Sequence, residues 1–387
     1  MRTVLTAAVA LTPLQRIDDA AIVINDGVIE QIAPRSAVAI PAGAVRRDFS
    51  QAILAPGMLD IHIHGAVGHD VMSADESGLA SVEEFLAQHG VTSYCPTTVT
   101  ASVESTLTSL ERLARHIESR SNGNKPRARA FGIHLEGPFI SREKRGVHPQ
   151  QEIVAPDLKV FERFWNAARG HVKLLTIAPE LPGAPELIAA ASARGVSVSL
   201  GHSDGDLRSA QLALQAGARH ATHTFNAMRA LDHREPGIVG AVLSETGLTA
   251  DIIADGIHVH PAVVKLFLTV KGEDRAVVIS DGTSATGMPD GRYRLGMFEV
   301  EVAGDRCTVD GRLAGSVLTL DRAVRNIMRF ADWPLQRALR LATANPAGVI
   351  GAKGEGTLAV GGAADLVVLS SKGEVINTFV NGRALRS

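Results

Sequence analysis

The stretch LDIHIHGAVGHD, residues 59–70, places two histidines one residue apart at the end of an apolar run. In a β-strand the side chains of residues i and i+2 point to the same face, so His62 and His64 would face a common space. Two neighbouring imidazoles are typical of a metal site, but they supply only part of a ligand set. The alternative is a pair of hydrogen-bonded core histidines, which is the commoner role of a histidine in a strand.

Seven further segments after Pro56 share the character of this strand, because each is short, apolar and rich in β-branched residues. With the first they make eight predicted strands, at residues 58–64, 91–97, 129–136, 172–178, 196–202, 220–225, 248–254 and 276–281. Amphipathic stretches lie between them, and several end at a glycine that can form a left-handed cap, namely Gly90, Gly195 and Gly217. Eight such strands alternating with helices predict an α/β fold, a parallel (β/α)8 TIM-like barrel.

Both ends of the chain depart from this pattern. Residues 1–55 and 352–387 are rich in short strands and turns, so we expect them to form one small β-sandwich domain beside a barrel of residues 56–351. Asn25-Asp26-Gly27 favours a hairpin turn between two strands. The first residues could be a signal peptide or a neighbouring strand, and the strand is the simpler interpretation. Alternating residues near 291–315 predict a strand-rich insertion in the barrel.

The composition excludes several classes of protein. The chain has 387 residues and a net charge of −2 without blocks of like charge, which argues against a nucleic-acid surface or a basic membrane patch. No apolar run approaches the ~20 residues needed to cross a bilayer. Two cysteines do not make a disulfide framework, so a reducing, cytoplasmic location fits best.

Side chains that can bind metals recur at the carboxyl ends of the predicted strands. Besides the histidine pair of the first strand, they are Glu136, His202, His223 and Asp281. In a (β/α)8 barrel those ends converge on one face, where active sites are built. Imidazole and carboxylate ligands suit zinc or iron, and a bound divalent ion lowers the pKa of a water molecule to ~7. We therefore expect a hydrolytic metal centre with Asp281 as general base and acid.

Motifs along nearly the whole chain carry a family resemblance. They include PGMLDIHIHG, HLEGPF, GVHP, GHSDG, THTFNAM, REPGIVGA, IADGIHV, SDGTSATG, LAGSVLTL and the tail GTLAVGGAADLVVL. The sequence resembles the amidohydrolase superfamily and, within it, the N-acetylglucosamine-6-phosphate deacetylase family. PGMLDIHIHG and GGAADLVVL are general to the superfamily, whereas LEGPF and the THTFNAM block are specific to the deacetylases.

The resemblance implies a ligand set and a catalytic pair. The main metal ion would be held by Glu136, His202 and His223. The pair at positions 62 and 64 leaves room for a second ion, so one or two divalent ions per subunit, zinc or iron, are expected. Asp281 would be the catalytic acid and base, and His148 of GVHP would contact the acetyl carbonyl. Residues 137–156, which carry His148, are either a lid or a plain connecting loop.

The resemblance also implies a substrate and an assembly. The substrate would be a small phosphorylated amino sugar, with Asn226 and Ala227 offering backbone amides to its phosphate, together with Arg234 and His258. A surface ion pair is the alternative for Arg234. In relatives a dimer partner supplies part of the phosphate contact, so a homodimer is implied.

These expectations combine into one activity with two rivals. Metal-activated water would attack the acetamide of N-acetylglucosamine 6-phosphate, giving acetate and glucosamine 6-phosphate for amino-sugar catabolism or cell-wall recycling. The first rival is another amide hydrolase of the superfamily, acting on a cyclic amide or a dipeptide. Many of these bridge two metals with a carbamylated lysine, but Glu136 stands at strand three here. The second rival is a barrel that has lost catalysis and serves in binding.

Overall fold

The computed structural model describes residues 2–12, 15–119, 125–296 and 298–386. The N-terminal segment contains four strands, β1 (Arg2–Leu11), β2 (Arg16–Asn25), β3 (Val28–Pro34) and β4 (Val45–Pro56). Strands β1, β2 and β3 pair antiparallel, and β4 lies parallel to β1. The predicted turn joins β2 to β3, with positive φ of 47° at Asp26 and 85° at Gly27, as a two-residue hairpin requires. The first residues therefore form a strand.

All eight predicted barrel strands are present. The strands of this region are β5 (Met58–Ile63), a small hairpin of β6 (Gly65–Ala66) and β7 (His69–Asp70), β8 (Val91–Thr98), β9 (Arg129–Ala130), β10 (Ile133–Glu136), β11 (Val172–Ile177), β12 (Ser197–Leu200), β13 (His220–Ala221), β14 (Ala250–Ile253) and β15 (Ala276–Ile279). The third predicted strand is divided into β9 and β10. The sixth, β13, has only two residues because the backbone turns to a φ of 31° at His223.

Parallel pairing joins the barrel strands in the order β5-β8-β10-β11-β12-β13 and, separately, β14-β15. The Ala221 amide donates to the Thr249 carbonyl at 3.0 Å, which continues the sheet from β13 to β14. Between β15 and β5, residues 341–342 accept hydrogen bonds from both strands. The Asp281 amide then donates to the His62 carbonyl at 3.0 Å. These bonds close the barrel, so the carboxyl ends of its strands surround one face.

The predicted insertion is an antiparallel sheet of four strands, β16 (Gly291–Leu295), β17 (Phe298–Ala303), β18 (Arg306–Val309) and β19 (Arg312–Leu313). Its buried face, which includes Val300 and Val302, shares an apolar cluster with Met72 and Val99 near the carboxyl ends of β7 and β8. Val147 packs against the same cluster. The insertion therefore lies beside the loop that carries His148.

The C-terminal segment contains β20 (Leu366–Leu369), β21 (Val375–Val380) and β22 (Arg383–Ala384). These strands join the N-terminal ones in a seven-stranded sheet of order β22-β21-β20-β4-β1-β2-β3. The β3 edge of this sheet folds back toward the C-terminal segment, where the Ile29 amide donates to the Gly362 carbonyl at 2.9 Å. Leu5 and Phe379, from opposite halves, share one buried core. This is the small β unit built from both ends, while its exact limits at 55/56 and 351/352 stay a prediction.

Helices connect the barrel strands, and three further helices follow the insertion. They are α1 (Glu76–Gln88), α2 (Val103–Ser119), α3 (Leu158–Ala167), α4 (Ala184–Ala193), α5 (Leu207–Ala216), α6 (Gly237–Ser244), α7 (Pro261–Arg275), α8 (Leu320–Ala331), α9 (Leu335–Arg340) and α10 (Ala344–Val349), with 3-10 turns at Arg35–Ala37 and Gln150–Glu152. The three predicted glycine caps have positive φ, 81° at Gly90, 77° at Gly195 and 122° at Gly217. Within the described residues, no helix has the length and apolarity that a bilayer crossing requires.

An ion-pair network joins the amino-terminal end of the barrel to the small β unit. Arg129, in β9, donates to Glu355 at 3.1 Å and also contacts the carboxylate of Asp365. Its other nitrogen donates to Asn381 Oδ1 at 2.8 Å. The Ser93 hydroxyl of β8 donates to Glu355 at 2.6 Å. This network lies at the opposite ends of the strands from the predicted site.

Candidate metal centre

The carboxyl ends of five barrel strands bring the predicted ligands into one buried cluster. It contains the Nε2 atoms of four histidines and two carboxylates: His62, His64, Glu136, His202, His223 and Asp281. Glu136 lies at its centre. Its Oε1 is 3.1 Å from His202 Nε2 and 3.0 Å from His223 Nε2, while its Oε2 is 3.3 Å from His64 Nε2. The structure thus brings together residues that are as far as 219 positions apart in the chain (62 to 281).

The backbone at three of these residues is left-handed, with φ of 46° at His202, 31° at His223 and 51° at Asp281. Residues other than glycine seldom adopt this conformation, and it costs of order 1–3 kcal/mol unless the surroundings enforce it. Hydrogen bonds from neighbouring groups hold the backbone at two of these residues. The carboxylate of Asp251 accepts the His223 amide, and the Ser316 amide donates to the Asp281 carbonyl at 2.7 Å.

Two ligand histidines are fixed in one tautomer by backbone carbonyls. His64 Nδ1 donates to the Thr97 carbonyl at 3.1 Å, and His202 Nδ1 donates to the Lys144 carbonyl at 3.0 Å. A carbonyl only accepts, so Nδ1 carries the hydrogen in each ring. In a neutral imidazole the Nε2 lone pair then faces the cluster, which is the usual arrangement of a metal-binding histidine.

This donor set fits a divalent metal ion. The ligand atoms of His62, His64 and Glu136 lie within 4.8 Å of one another, and so do those of Glu136, His148 and His202. Buried nitrogen and oxygen lone pairs that converge without enough hydrogens between them repel one another, and a cation removes that repulsion. Imidazole with carboxylate is a common ligand set for divalent first-row metals.

Electrostatics keep both carboxylates of the cluster ionised. Burial favours the neutral form of Glu136, yet the charge on His62 and hydrogen bonds from His148 hold its pKa well below the usual value. The pKa of Asp281 is also lowered, against burial, by His62 and His64. Burial opposes a charge on His64, but its bonds to Asp281 and Glu136 raise its pKa to about 10. Burial lowers the pKa of His148 to about 4, so this ring is neutral.

His148 lies at the edge of the same cluster although no strand carries it. Its Nε2 is 3.6 Å from Glu136 Oε2, and its ring centroid is 4.6 Å from that of His202. Its Nδ1 is 2.7 Å from the hydroxyl of Thr100. The structure therefore places His148 where it can contact a molecule bound over the cluster.

Comparison with known proteins assigns the family. The family model described as "Amidohydrolase family" matches residues 53–385. The chain belongs to the amidohydrolase family. It is 38% identical over 351 residues to the N-acetylglucosamine-6-phosphate deacetylase of Vibrio furnissii, covering 90% of this chain and 85% of that protein. It is 35% identical over 385 residues to the N-acetylgalactosamine-6-phosphate deacetylase of Escherichia coli O157:H7, covering 99% of each.

A solved structure extends this similarity to the whole fold. A variant of the Mycobacterium smegmatis N-acetylglucosamine-6-phosphate deacetylase, in complex with N-acetylglucosamine 6-phosphate, superposes with a TM-score of 0.93. The two sequences are 33% identical, and the match covers 100% of both chains. The predicted resemblance to these deacetylases is confirmed, and the (β/α)8 barrel of this amidohydrolase with it.

The residues predicted to bind phosphate follow His223 in an irregular turn of the amidohydrolase barrel. The Asn226 amide donates to the His223 carbonyl at 2.9 Å, so in this structure that amide is already paired. Ala227 has a φ of 50°, and among the described residues its amide has no hydrogen-bond partner. Of the two predicted amides, the structure thus leaves the one at Ala227 free to bind an anion.

The two charged residues of the predicted phosphate site differ in exposure. Arg234 is exposed, and within the described part of the chain its guanidinium forms no ion pair, so the surface-pair alternative is not observed. His258 is partly buried, and its Nδ1 lies 2.7 Å from Asp255 Oδ2. This bond fixes the ring and leaves Nε2 for a ligand.

Sequence reasoning missed the residues that support the cluster from below. His220 Nε2 is 3.0 Å from Asp251 Oδ2, and both are fully buried. The carboxylate within the apolar run LTADIIA was the available signal for Asp251. Beneath the cluster, His134 Nε2 lies 2.8 Å from the Thr176 hydroxyl, which is 2.8 Å from that of Thr222. No pattern in the sequence indicated this chain of hydroxyls, because the residues lie on different strands.

Proposed function

We propose that this amidohydrolase hydrolyses the acetamide of N-acetylglucosamine 6-phosphate to acetate and glucosamine 6-phosphate, in amino-sugar catabolism or cell-wall recycling. The observation that carries the proposal is the buried cluster around Glu136, with Asp281 and His148 beside it. The relatives named for this activity support the choice of substrate. We also propose a cytoplasmic location.

We propose that zinc or iron occupies the cluster, with one or two ions per subunit. His202 and His223 lie beside Oε1 of Glu136 and would hold the main ion together with this carboxylate. His64 lies 3.3 Å from Oε2 and His62 lies 3.4 Å from Oε1. His62 would share the second ion with His64. When bound, such a metal polarises the amide carbonyl and lowers the pKa of water to ~7.

We assign to Asp281 the two proton transfers of the reaction, from the attacking water and to the leaving amine. Its Oδ1 is 3.4 Å from His62 Nε2 and 3.2 Å from His64 Nε2, and its lowered pKa keeps it ionised. An ionised carboxylate at this position can accept a proton from the attacking water and return it to the leaving amine. His148 would donate a hydrogen bond from Nε2 to the carbonyl oxygen as negative charge develops there.

The sugar phosphate would be held by the turn after His223 and by two basic residues. The free amide of Ala227 and the ring of His258 support this assignment, with Asn226 contributing its side chain or a released amide. Arg234 projects from the surface without a partner among the described residues, so we propose that it reaches the phosphate in the site of a second copy. A bidentate arginine suits a phosphate, and the proposal implies a homodimer.

The relative that acts on N-acetylgalactosamine 6-phosphate favours one further candidate substrate, because it matches 99% of this chain. The two sugars differ in the orientation of one hydroxyl. The two rivals, another amide hydrolase of the superfamily and a barrel used only for binding, both predict no acetate release from these sugars.

The test is acetate release from both N-acetylated sugar 6-phosphates and from unphosphorylated N-acetylglucosamine, before and after chelation. We expect fast release from N-acetylglucosamine 6-phosphate, slow release from the unphosphorylated sugar, and loss of both on chelation with recovery on zinc or iron addition. Metal-loaded protein that releases no acetate from any of these sugars would contradict the proposal.

A further inference from the structure

Two hydrogen-bond donors of one residue converge on a single nitrogen of His148. The backbone amide of Thr100 lies 3.3 Å from His148 Nδ1, and the Thr100 hydroxyl oxygen lies 2.7 Å from the same atom. Both residues are buried, with 3% and 4% of their surfaces exposed. Thr100 follows the carboxyl end of β8, so a rigid barrel strand presents both donors.

This contact determines which ring nitrogen carries the hydrogen. A backbone amide can only donate, so Nδ1 must accept, and a neutral imidazole then has its hydrogen on Nε2. The hydroxyl can rotate to donate as well, since Nδ1 is its only partner among the described residues. Nε2 lies on the opposite side of the ring, 3.6 Å from Glu136 Oε2, and so faces the metal cluster.

The absence of a side chain at Gly137 leaves room for the Thr100 hydroxyl. A Cβ at Gly137 would lie 2.2 Å from the Thr100 oxygen, so only glycine fits next to it, and φ there is 79°. The backbone of His148 is held separately: its amide donates to the Arg145 carbonyl at 3.0 Å, and the Arg145 guanidinium donates to its carbonyl at 3.0 Å. Thr100 therefore acts on the ring, while Arg145 acts on the main chain.

We propose that Thr100 is a positioning residue that holds His148 in the Nε2–H tautomer, so that the ring presents a donor to the carbonyl oxygen of the substrate. The opposite tautomer would direct a lone pair at an oxygen that gains negative charge, which is repulsive. The inference rests on the proposed function for the identity of that oxygen, but the tautomer itself is a property of the protein alone.

The tautomer can be read by nitrogen NMR of zinc-reconstituted protein labelled with 15N-histidine, with His148→Gln identifying the His148 signals. We expect wild-type His148 to carry its hydrogen on Nε2. Thr100→Val keeps the shape and the amide but removes the hydroxyl. The amide still requires Nδ1 to accept, so the tautomer should stay, while the Nδ1 resonance should shift on loss of the 2.7 Å contact and kcat should fall with little change in KM. The expected loss is ~10- to 100-fold, the range for a group one contact removed from the reactive atoms. Thr100→Ser restores the hydroxyl and should restore the wild-type Nδ1 resonance and kcat.

A wild-type ring with its hydrogen on Nδ1 would overturn the proposal, and so would a Thr100→Val protein with the Nδ1 resonance and the kcat of the wild type. If Thr100→Val does not fold, the wild-type and Thr100→Ser spectra decide: hydrogen on Nε2 in both supports the proposal, and hydrogen on Nδ1 overturns it. If the wild-type protein releases no acetate but shows the expected tautomer and the Nδ1 shift in Thr100→Val, the positioning role stands and the proposed substrate fails.

Discussion

The Nδ1 atom of His64 donates to the carbonyl oxygen of Thr97 at 3.1 Å, which points Nε2 of the same ring at Asp281, 3.2 Å away. Without a metal ion this second nitrogen is best satisfied by a proton, and the pKa of His64 is accordingly raised to about 10 despite burial. A metal ion and this proton compete for one lone pair.

We therefore expect metal binding to release about one proton from His64 at neutral pH and to tighten as the pH rises toward 10. Calorimetric titration of chelated protein in two buffers of different ionisation enthalpy measures the number released. His64→Gln should release about one proton fewer. His171→Gln, on the surface away from the cluster, should behave as the wild type, and equal release by all three proteins would contradict the assignment.

Replacing Asp281 by asparagine should preserve metal binding but remove turnover. The amide keeps the shape of the side chain and cannot accept the proton of water, so kcat should fall by about 10²- to 10⁴-fold, the usual contribution of a general base. The measurements are metal content and kcat on N-acetylglucosamine 6-phosphate. A near-normal kcat with full metal content would exclude Asp281 as the base.

Arg234→Ala should raise KM far more than it lowers kcat. The side chain is exposed and has no partner in the described part of the chain, so its removal costs no internal contact. A charged hydrogen bond to phosphate is worth about 1.5–3 kcal/mol, which corresponds to about a 10- to 150-fold change in KM. The KM of the unphosphorylated sugar should not change, and Arg16→Ala should leave both values at wild type. An unchanged KM in Arg234→Ala would remove this residue from the phosphate site.

Asp251→Asn should weaken metal binding although Asp251 is not a predicted ligand. Its carboxylate accepts the His223 amide on one side and bonds to His220 on the other, so it holds His223 in its left-handed conformation. We expect a loss of metal affinity of ~10- to 100-fold in competition with a chromogenic chelator. Asp48→Asn, which alters a carboxylate bonded to Thr6 in the small β unit, is the matched control. Equal metal affinities of Asp251→Asn and the wild type would show that the Asp251 carboxylate is not needed to hold the backbone at His223.

Arg129→Met should lower the free energy of unfolding by about 1–3 kcal/mol. The substitution leaves Glu355 and Asp365 without their cation at a buried junction, and breaking a buried pair costs about 3–5 kcal/mol, reduced here because Arg129 is partly exposed. Arg163→Met is the control, because its pair with Glu104 is exposed and should be worth under about 1 kcal/mol. Urea unfolding of metal-free protein measures both. Equal losses would mean that the junction contributes no more than a surface pair.

The barrel was predictable because its strands are continuous apolar runs, and the cluster was predictable because histidine and carboxylate residues end those runs. The role of His148 was predicted only from the family resemblance, since this residue lies in a loop with no periodic pattern. The pairing of the Asn226 amide, the division of the third strand and the insertion of residues 341–342 between β15 and β5 were not predictable. Each depends on backbone conformation imposed by residues distant in the chain, which local patterns do not record.

The sheet of the small β unit has a consequence for how the protein is made. Strand β20 (Leu366–Leu369) lies between β4 and β21, so one edge of β4 has no partner until the ribosome has synthesised residues 57–365, which include the barrel. An open strand edge pairs readily with other chains. While residues 57–365 are being synthesised, the nascent chain therefore carries an open strand edge, and its tendency to associate with other chains should be greatest during that time.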